Sequence, residues 1–128
     1  MLIKGASKII GISAYNIRYY EKIGLINIPR SRNGKRNFDE ESIWKLTQIL
    51  YFRNAGVALK DIRTMFEERM SEEIIMQVLY KAQKNIAKQL ENIEKTQNYL
   101  DYKINWHLHH NIEVTTKLCG ITVPTTKD

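Results

Sequence analysis

Two aromatic and two cationic side chains recur at helical spacing near the start of the chain. Tyr15, Arg18, Tyr19 and Lys22 stand at positions i, i+3, i+4 and i+7, so on a helix they share one face. Cations and aromatic rings are groups that contact phosphates and base edges, and this face contains no carboxylate. The pattern predicts a nucleic-acid contact. Taken alone, it also fits an ordinary surface helix with some positive charge.

The residues around this face are those that start and stop helices. Ser13 is a good N-cap before it, and Gly24 is suited to end the helix in the left-handed region. A short apolar helix over residues 6–10 comes before, and Gly11 separates the two. A helix, a glycine turn and a capped basic helix form the helix-turn-helix arrangement.

The positive charge of the chain is concentrated in its first part. The formal net charge is +6, and residues 1–70 hold thirteen lysines and arginines against seven acidic residues, whereas residues 71–128 are balanced. Within residues 1–38, eight cations accompany a single acid, Glu21. A basic region of this kind is an electrostatic footprint for a polyanion.

A short β-hairpin is predicted after the basic helix. Asn33-Gly34 is a strong hairpin signal and predicts a type I′ turn, with Phe38 available for the core after the second strand. A cationic hairpin beside a helix-turn-helix is typical of a wing that grips phosphates. The wing cations are Arg30, Arg32, Lys35 and Arg36.

Residues 3–66 resemble the N-terminal DNA-binding domain of the MerR family of transcriptional regulators. The resemblance rests on Arg18-Tyr19-Tyr20-Glu21-Lys22-Ile23-Gly24-Leu25, on Arg32-Asn33-Gly34-Lys35-Arg36-Asn37-Phe38, and on Ala55-Gly56-Val57, in the family's order and spacing. It implies a winged helix-turn-helix. Two positions depart from the family pattern, since Lys35 replaces a tyrosine and Ala58 replaces a serine that would cap a helix.

A second helix pair is expected after the wing, and Asp39 is the predicted N-cap of its first helix. The resemblance implies that this pair supports the first pair and adds a phosphate contact through Arg53. The alternative is that Arg53 is a solvated cation at a helix end.

From residue 71 to about residue 110 the chain contains no glycine or proline and reads as one long helix. Apolar residues recur at heptad spacing, with Gln83 and Gln97 at two of the a positions. The d positions are Leu79, Ile86, Ile93 and Leu100, and the apolar a positions are Leu90 and Ile104. A helix of about 60 Å cannot bury this stripe on a small domain, so it needs a partner. The resemblance implies an antiparallel coiled coil with a second copy, and hence a homodimer.

We therefore expect a mainly α fold in three parts. A winged helix-turn-helix DNA-binding domain occupies residues 1–70, a coiled-coil dimerisation helix residues 71–110, and a short C-terminal tail residues 111–128. The tail is too short for a separate effector domain.

An effector pocket is expected near the end of the long helix. Tyr99, Tyr102, Trp106 and His107 would line it, although aromatic residues at helical spacing more often serve core or dimer packing. The effector, an unknown small molecule, would then act near the end of the long helix.

No metal and no cofactor are expected. His107 and His110 share a helix face, with His109 beside them and Cys119 nine residues further on, and these could form a metal site. The favoured interpretation is that the histidines interact with the helix dipole and that Cys119 is a small packed hydrophobe.

The sequence argues against an enzyme, a membrane-spanning protein and a disulfide-bonded protein. No nucleophile–base pair with a local signature, glycine-rich phosphate loop or metal quartet is present, so we do not expect an enzyme. No apolar run approaches a membrane span, and one cysteine excludes an intramolecular disulfide. A cytoplasmic location without membrane association is expected.

The favoured function is that of a transcriptional regulator. It would bind double-stranded promoter DNA as a homodimer, distort that DNA, respond to an effector and influence RNA polymerase indirectly, as the resemblance implies. The first alternative is an architectural, excisionase-like DNA-binding protein with the same winged domain. The second is a coiled-coil interaction protein whose positive charge is incidental.

Overall fold

The computed structural model describes residues 1–110, whose regular structure is helical. Five helices follow one another in this part of the chain. They are α1 (Ile3–Ile10), α2 (Ala14–Lys22), α3 (Glu40–Asn54), α4 (Leu59–Phe66) and α5 (Glu72–His110). The mainly α prediction with a long last helix is confirmed.

The first two helices form the predicted helix-turn-helix. α1 begins at Ile3, earlier than the predicted start at residue 6, and ends at Gly11, whose φ of 89° lies in the left-handed region. Ser13 then caps α2, because its side-chain oxygen accepts a hydrogen bond from the backbone N–H of Asn16 at 3.1 Å. Ile17 and Tyr20 are buried on the inner side of α2, opposite the predicted contact face.

α1 to α4 and the start of α5 make one compact unit, Met1–Asn85. Leu46, Ile49 and Ile62 are fully buried at its centre, so α3 and α4 supply much of the core. At the end of this unit, within α5, the side-chain amide of Asn85 donates to the carbonyl of Ala55 at 3.2 Å. A domain boundary at residue 70 stays a prediction, because the compact unit itself continues into α5.

The wing is smaller than predicted, and its turn is of a different type. Within the described residues it is a single antiparallel β-bridge, Arg30 with Arg36, and not a pair of strands. Gly34 N–H donates to the Ser31 carbonyl at 2.9 Å, and Ser31 N–H donates to the Lys35 carbonyl at 2.7 Å. Gly34 has φ 80°, whereas Asn33 does not have the positive φ that a type I′ turn requires.

These contacts fit a three-residue loop, in which a turn of type I is followed by a left-handed glycine. The type I′ prediction was wrong. It placed Asn33 and Gly34 at the two central positions of the turn, whereas Asn33 is the second central residue and Gly34 is the last residue of the turn. The Ser31 hydroxyl donates to the side-chain oxygen of Asn33, which also accepts from Lys35 N–H at 3.3 Å. The asparagine therefore stabilises the loop through its side chain.

The ends of the other helices follow the predicted caps. The Asp39 carboxylate accepts from the backbone N–H of Ser42 at 2.9 Å, and the hydrogen bonds with Ser42 hold the pKa of Asp39 below its ordinary value. Ala58 precedes α4 without a side-chain cap, as the sequence predicts. After α4, Glu68 adopts φ 56°, the left-handed region that glycine prefers.

The second unit begins at Ile86, and its described part is the rest of α5. The predicted long helix is confirmed from Glu72 to His110. Among the helices of the described residues, none is both long enough and apolar enough to cross a bilayer. The predicted tail and Cys119 lie outside the described residues.

Candidate nucleic-acid interface

The four residues of the predicted contact face all lie on the exposed side of α2. The exposed fraction is 76% for Tyr15 and 42% for Tyr19, and Arg18 and Lys22 are exposed as well. Neither cation takes part in an ion pair or a side-chain hydrogen bond within residues 1–110. The structure thus presents two unpaired positive charges and two accessible aromatic rings on one face of α2.

Two sets of hydrogen bonds, one from the backbone and one from Arg63, satisfy carbonyl groups at the C-terminal end of α2. Gly24, with φ 76°, donates its N–H to the Glu21 carbonyl at 3.1 Å, and Leu25 N–H donates to the Tyr20 carbonyl at 2.9 Å. This is the Schellman pattern of a helix end.

The side chain of Arg63, on α4, contacts the same helix end. Its guanidinium donates to the Ile23 carbonyl and, at 3.4 Å, to the Gly24 carbonyl. A cation there satisfies helix-end carbonyls and interacts favourably with the helix dipole. Arg63 was not among the predicted site residues, and no local signal in the sequence indicated that it contacts α2.

Glu21, the one acid of residues 1–38, joins α2 to the wing. Its Oε1 accepts from Nε of Arg36 at 3.0 Å, and Nη2 of Arg30 lies 3.1 Å from both carboxylate oxygens. The Glu21 side chain is only 16% exposed. Burial raises the pKa of Glu21, but the hydrogen bonds and charges of Arg30 and Arg36 outweigh this, so the pKa lies below its ordinary value.

The four wing cations therefore fall into two groups. Arg30 and Arg36 are tied to Glu21, and Arg36 is partly buried. Arg32 and Lys35, at the tip, are exposed and form no ion pair in the described part of the chain. The tip carries the charge that is most available to a phosphate.

Arg53 has a structural contact of its own. Its Nη1 donates to the Val57 carbonyl at 2.9 Å, across the turn between α3 and α4. The side chain therefore stabilises this turn. Its predicted phosphate contact stays a prediction.

The residues predicted for an effector pocket form two separate ring contacts on α5. The Tyr99 and Tyr102 ring centroids lie 6.3 Å apart, and those of Trp106 and His107 lie 4.9 Å apart at 79°. His110 stacks on Trp106 at 4.2 Å. All five side chains are exposed. The predicted effector pocket stays a prediction.

Candidate metal ligands are also dispersed. Within residues 1–110, no three His, Cys, Asp or Glu side chains lie close enough to hold one ion.

The predicted dimerisation residues lie along α5 as an apolar stripe. Leu90 and Ile93 are 62% and 63% exposed, and Ile86 is partly exposed. The remaining members, also exposed, are Leu79, Leu100 and Ile104. Exposure of so many large apolar side chains on one helix is unusual for a monomer.

The chain matches proteins of known family over most of its length. Residues 1–69 match the family of MerR HTH regulatory proteins. An uncharacterized HTH-type transcriptional regulator of Haemophilus influenzae is 33% identical over 116 residues, which span 81% of this chain and 80% of the relative. The ZntR homolog of the same organism, also an HTH-type transcriptional regulator, is 31% identical over 98 residues, or 73% of each chain.

A solved structure is similar along nearly the whole chain. It is HiNmlR, a MerR family regulator lacking the sensor domain, in complex with promoter DNA. The match has a TM-score of 0.73 and 25% identity, and it covers 97% of this chain and 98% of the other.

The α2 face, the wing and the long α5 thus occur here in a chain that matches these regulators in sequence and in structure. Proteins of this family bind DNA and are not enzymes. The chain belongs to the MerR family of transcriptional regulators.

Proposed function

We propose that this regulator binds promoter DNA as a homodimer, with α2 in the major groove and the wing on the flanking phosphates. The observation that carries the proposal is the exposed α2 face, where Arg18 and Lys22 have no partner within the described residues and alternate with the exposed rings of Tyr15 and Tyr19. Arg32 and Lys35 at the wing tip extend the same charge. The promoter-bound relative supports binding to promoter DNA by analogy.

The homodimer is proposed through α5. Pairing with a second copy would remove the apolar stripe around Leu90 and Ile93 from water, which is favourable by about 25 cal/mol per Å² of apolar surface. The dimerisation part, residues 71–110, and the DNA-binding part, residues 1–70, would then have separate roles.

Two finer features complete the proposal. The dimer would distort the DNA between its half-sites and so act on RNA polymerase indirectly, through the shape of the promoter. A small-molecule effector would act near Tyr99, Tyr102, Trp106 and His107, whose exposed rings offer stacking and apolar contacts. The site of action is cytoplasmic in this proposal.

The test is a footprint on the promoter of the protein's own gene, followed by binding titrations with Arg18→Ala. If Arg18 contacts a base edge, the variant should lose about 1–3 kcal/mol of specific binding. Lys84→Ala, which removes the same charge from an exposed position of α5, serves as the control and should bind like the wild type. Equal binding by Arg18→Ala and wild type would contradict the proposed role of α2.

A further inference from the structure

The wing has little internal structure to hold it in place. Its described backbone contains one β-bridge and a few turn hydrogen bonds, and a two-stranded hairpin is at best marginally stable by itself. Ile28 and Phe38 are buried at its base, with exposed fractions of 2% and 6%. Burial at the base anchors the hairpin but leaves the direction of its tip to other contacts.

Glu21 supplies those contacts from α2. It lies on α2 directly before Lys22, and its carboxylate binds Arg30 and Arg36, the two residues that also form the β-bridge. One side chain thus holds both sides of the hairpin at distances of 3.0–3.1 Å. Charge-assisted hydrogen bonds of this kind are directional as well as strong.

We propose that Glu21 is the positioning residue that fixes the wing relative to α2, so that the two make their DNA contacts as one preset surface. Glu21 itself touches no DNA in this scheme and acts through Arg30 and Arg36. The inference rests on the proposed DNA-binding function. Fixing the two elements beforehand lowers the entropy that binding would otherwise lose.

Positioning by Glu21 favours binding to the specific site, whereas the negative charge of Glu21 weakens non-specific binding. A carboxylate inside a basic surface weakens the general attraction to phosphates, which supplies essentially all of non-specific affinity. Loss of the carboxylate should therefore strengthen binding to arbitrary DNA. Loss of wing positioning should weaken binding to the specific site, and a general folding defect would weaken both.

The experiment compares the full-length wild type and Glu21→Gln on two duplexes of equal length, one from the footprinted promoter and one with that sequence scrambled. On the promoter duplex we expect about tenfold weaker binding of the variant, the order of magnitude of a lost hydrogen bond to a charged group. On the scrambled duplex we expect tighter binding, with a salt slope steeper by about one unit. Equal changes on both duplexes would overturn the proposal.

Two further variants separate charge from position. Glu41→Gln removes the same charge from α3, where Glu41 pairs with Lys45 and not with the wing, and the ratio of the two affinities should not change. Glu21→Asp keeps the charge but shortens the side chain, so promoter binding should weaken while scrambled binding stays constant. Wild-type promoter binding by Glu21→Asp would count against positioning. This variant also serves if Glu21→Gln does not fold.

A double-mutant cycle tests whether Glu21 acts through Arg36. Arg36→Gln should lower promoter binding, and adding Glu21→Gln should lower it by less than the sum of the two single effects. Additive effects would show that the ion pair does not transmit the positioning. Failure of the wild type to prefer the promoter duplex would instead refute the proposed function, so the two failures are distinguishable.

Discussion

At the residue scale, a positive charge does not by itself identify a DNA contact, because a guanidinium also binds carboxylates and carbonyls. Arg53 and Arg63 donate to backbone carbonyls, and Arg30 and Arg36 share the Glu21 carboxylate. Arg36 and Glu21 are 15 positions apart, and Arg63 and Ile23 are 40 positions apart. Spacing in the sequence contains no signal for such pairs.

The α2 face is the opposite case. Its exposed residues and its buried residues Ile17 and Tyr20 are separated by the helical period alone, which is a local property of the sequence. This face was therefore predictable residue by residue. The roles of the wing cations were not, since they depend on which of them the fold brings to Glu21.

The lowered pKa of Glu21 predicts how the ion pairs contribute to stability as the pH changes. A carboxyl whose pKa is lower in the folded state stabilises the protein at pH values above its unfolded-state pKa, which is near the ordinary 4.5. This stabilisation is lost as the pH falls through the folded-state pKa. At pH 7 we expect Glu21→Gln to be less stable by about 1 kcal/mol, an order of magnitude for partly exposed charged hydrogen bonds.

The measurement is urea unfolding of wild type and Glu21→Gln from pH 7 to pH 3. The difference in the free energy of unfolding should be constant down to about pH 5 and shrink below the ordinary value of 4.5. Asp39, whose pKa is also lowered, is present in both proteins and cancels. A difference that grows on acidification would contradict the assigned ion pairs.

At the scale of elements, capping residues predicted the starts of α2 and α3 and the end of α2. Ser13, Asp39 and Gly24 occupy the roles that their side chains or backbone freedom suggested. The wing turn was mispredicted because Asn-Gly is compatible with more than one hairpin loop. The hydrogen bonds of the Asn33 side chain stabilise the three-residue loop over the two-residue type I′ turn. The Asn-Gly dipeptide alone does not predict these hydrogen bonds.

One helix end uses an unfavourable residue. After α4, Glu68 N–H donates to the Met65 carbonyl at 3.1 Å and Arg69 N–H to the Thr64 carbonyl at 3.0 Å, the same pattern that Gly24 forms after α2. Glu68 has φ 56°, which costs a residue with a Cβ about 1–2 kcal/mol. We expect Glu68→Gly to stabilise the protein by about 0.5–1 kcal/mol, because glycine loses some of the gain through unfolded-state entropy.

Thermal or urea unfolding measures this change. Glu68→Ala is the matched control, since it removes the same exposed side chain but keeps the Cβ, and it should give no gain. Similar stabilisation by both substitutions would indicate a charge effect in place of relieved backbone strain.

At the scale of the whole molecule, a single chain leaves the apolar stripe of α5 exposed to water. The heptad period predicted which residues form it, and the described helix leaves them exposed. A partner cannot be read from one chain's periodicity. Membership of the MerR family and the promoter-bound relative make a second copy on DNA the natural proposal.

Leu90→Asp with Ile93→Asp should therefore give a monomer whose first compact unit, Met1–Asn85, still folds, because both positions follow that unit. The control is Lys88→Asp with Asn98→Asp, at heptad positions away from the stripe, which should remain a dimer. Light scattering measures the mass, and a wild-type monomer at micromolar concentration would refute the proposed interface.

The same two variants test whether dimerisation distorts the promoter. Two copies of α2 in successive major grooves would lie one helical turn of DNA apart, and the DNA between them would not be contacted. Bending or untwisting that centre costs several kcal/mol, which only simultaneous binding at both half-sites can offset. A circular-permutation gel assay on the footprinted promoter should reveal a bend with the wild type and with the Lys88/Asn98 control. The Leu90/Ile93 variant should bind weakly and leave the DNA straight. Straight DNA with the wild-type dimer would leave a regulator that acts by occupying the promoter.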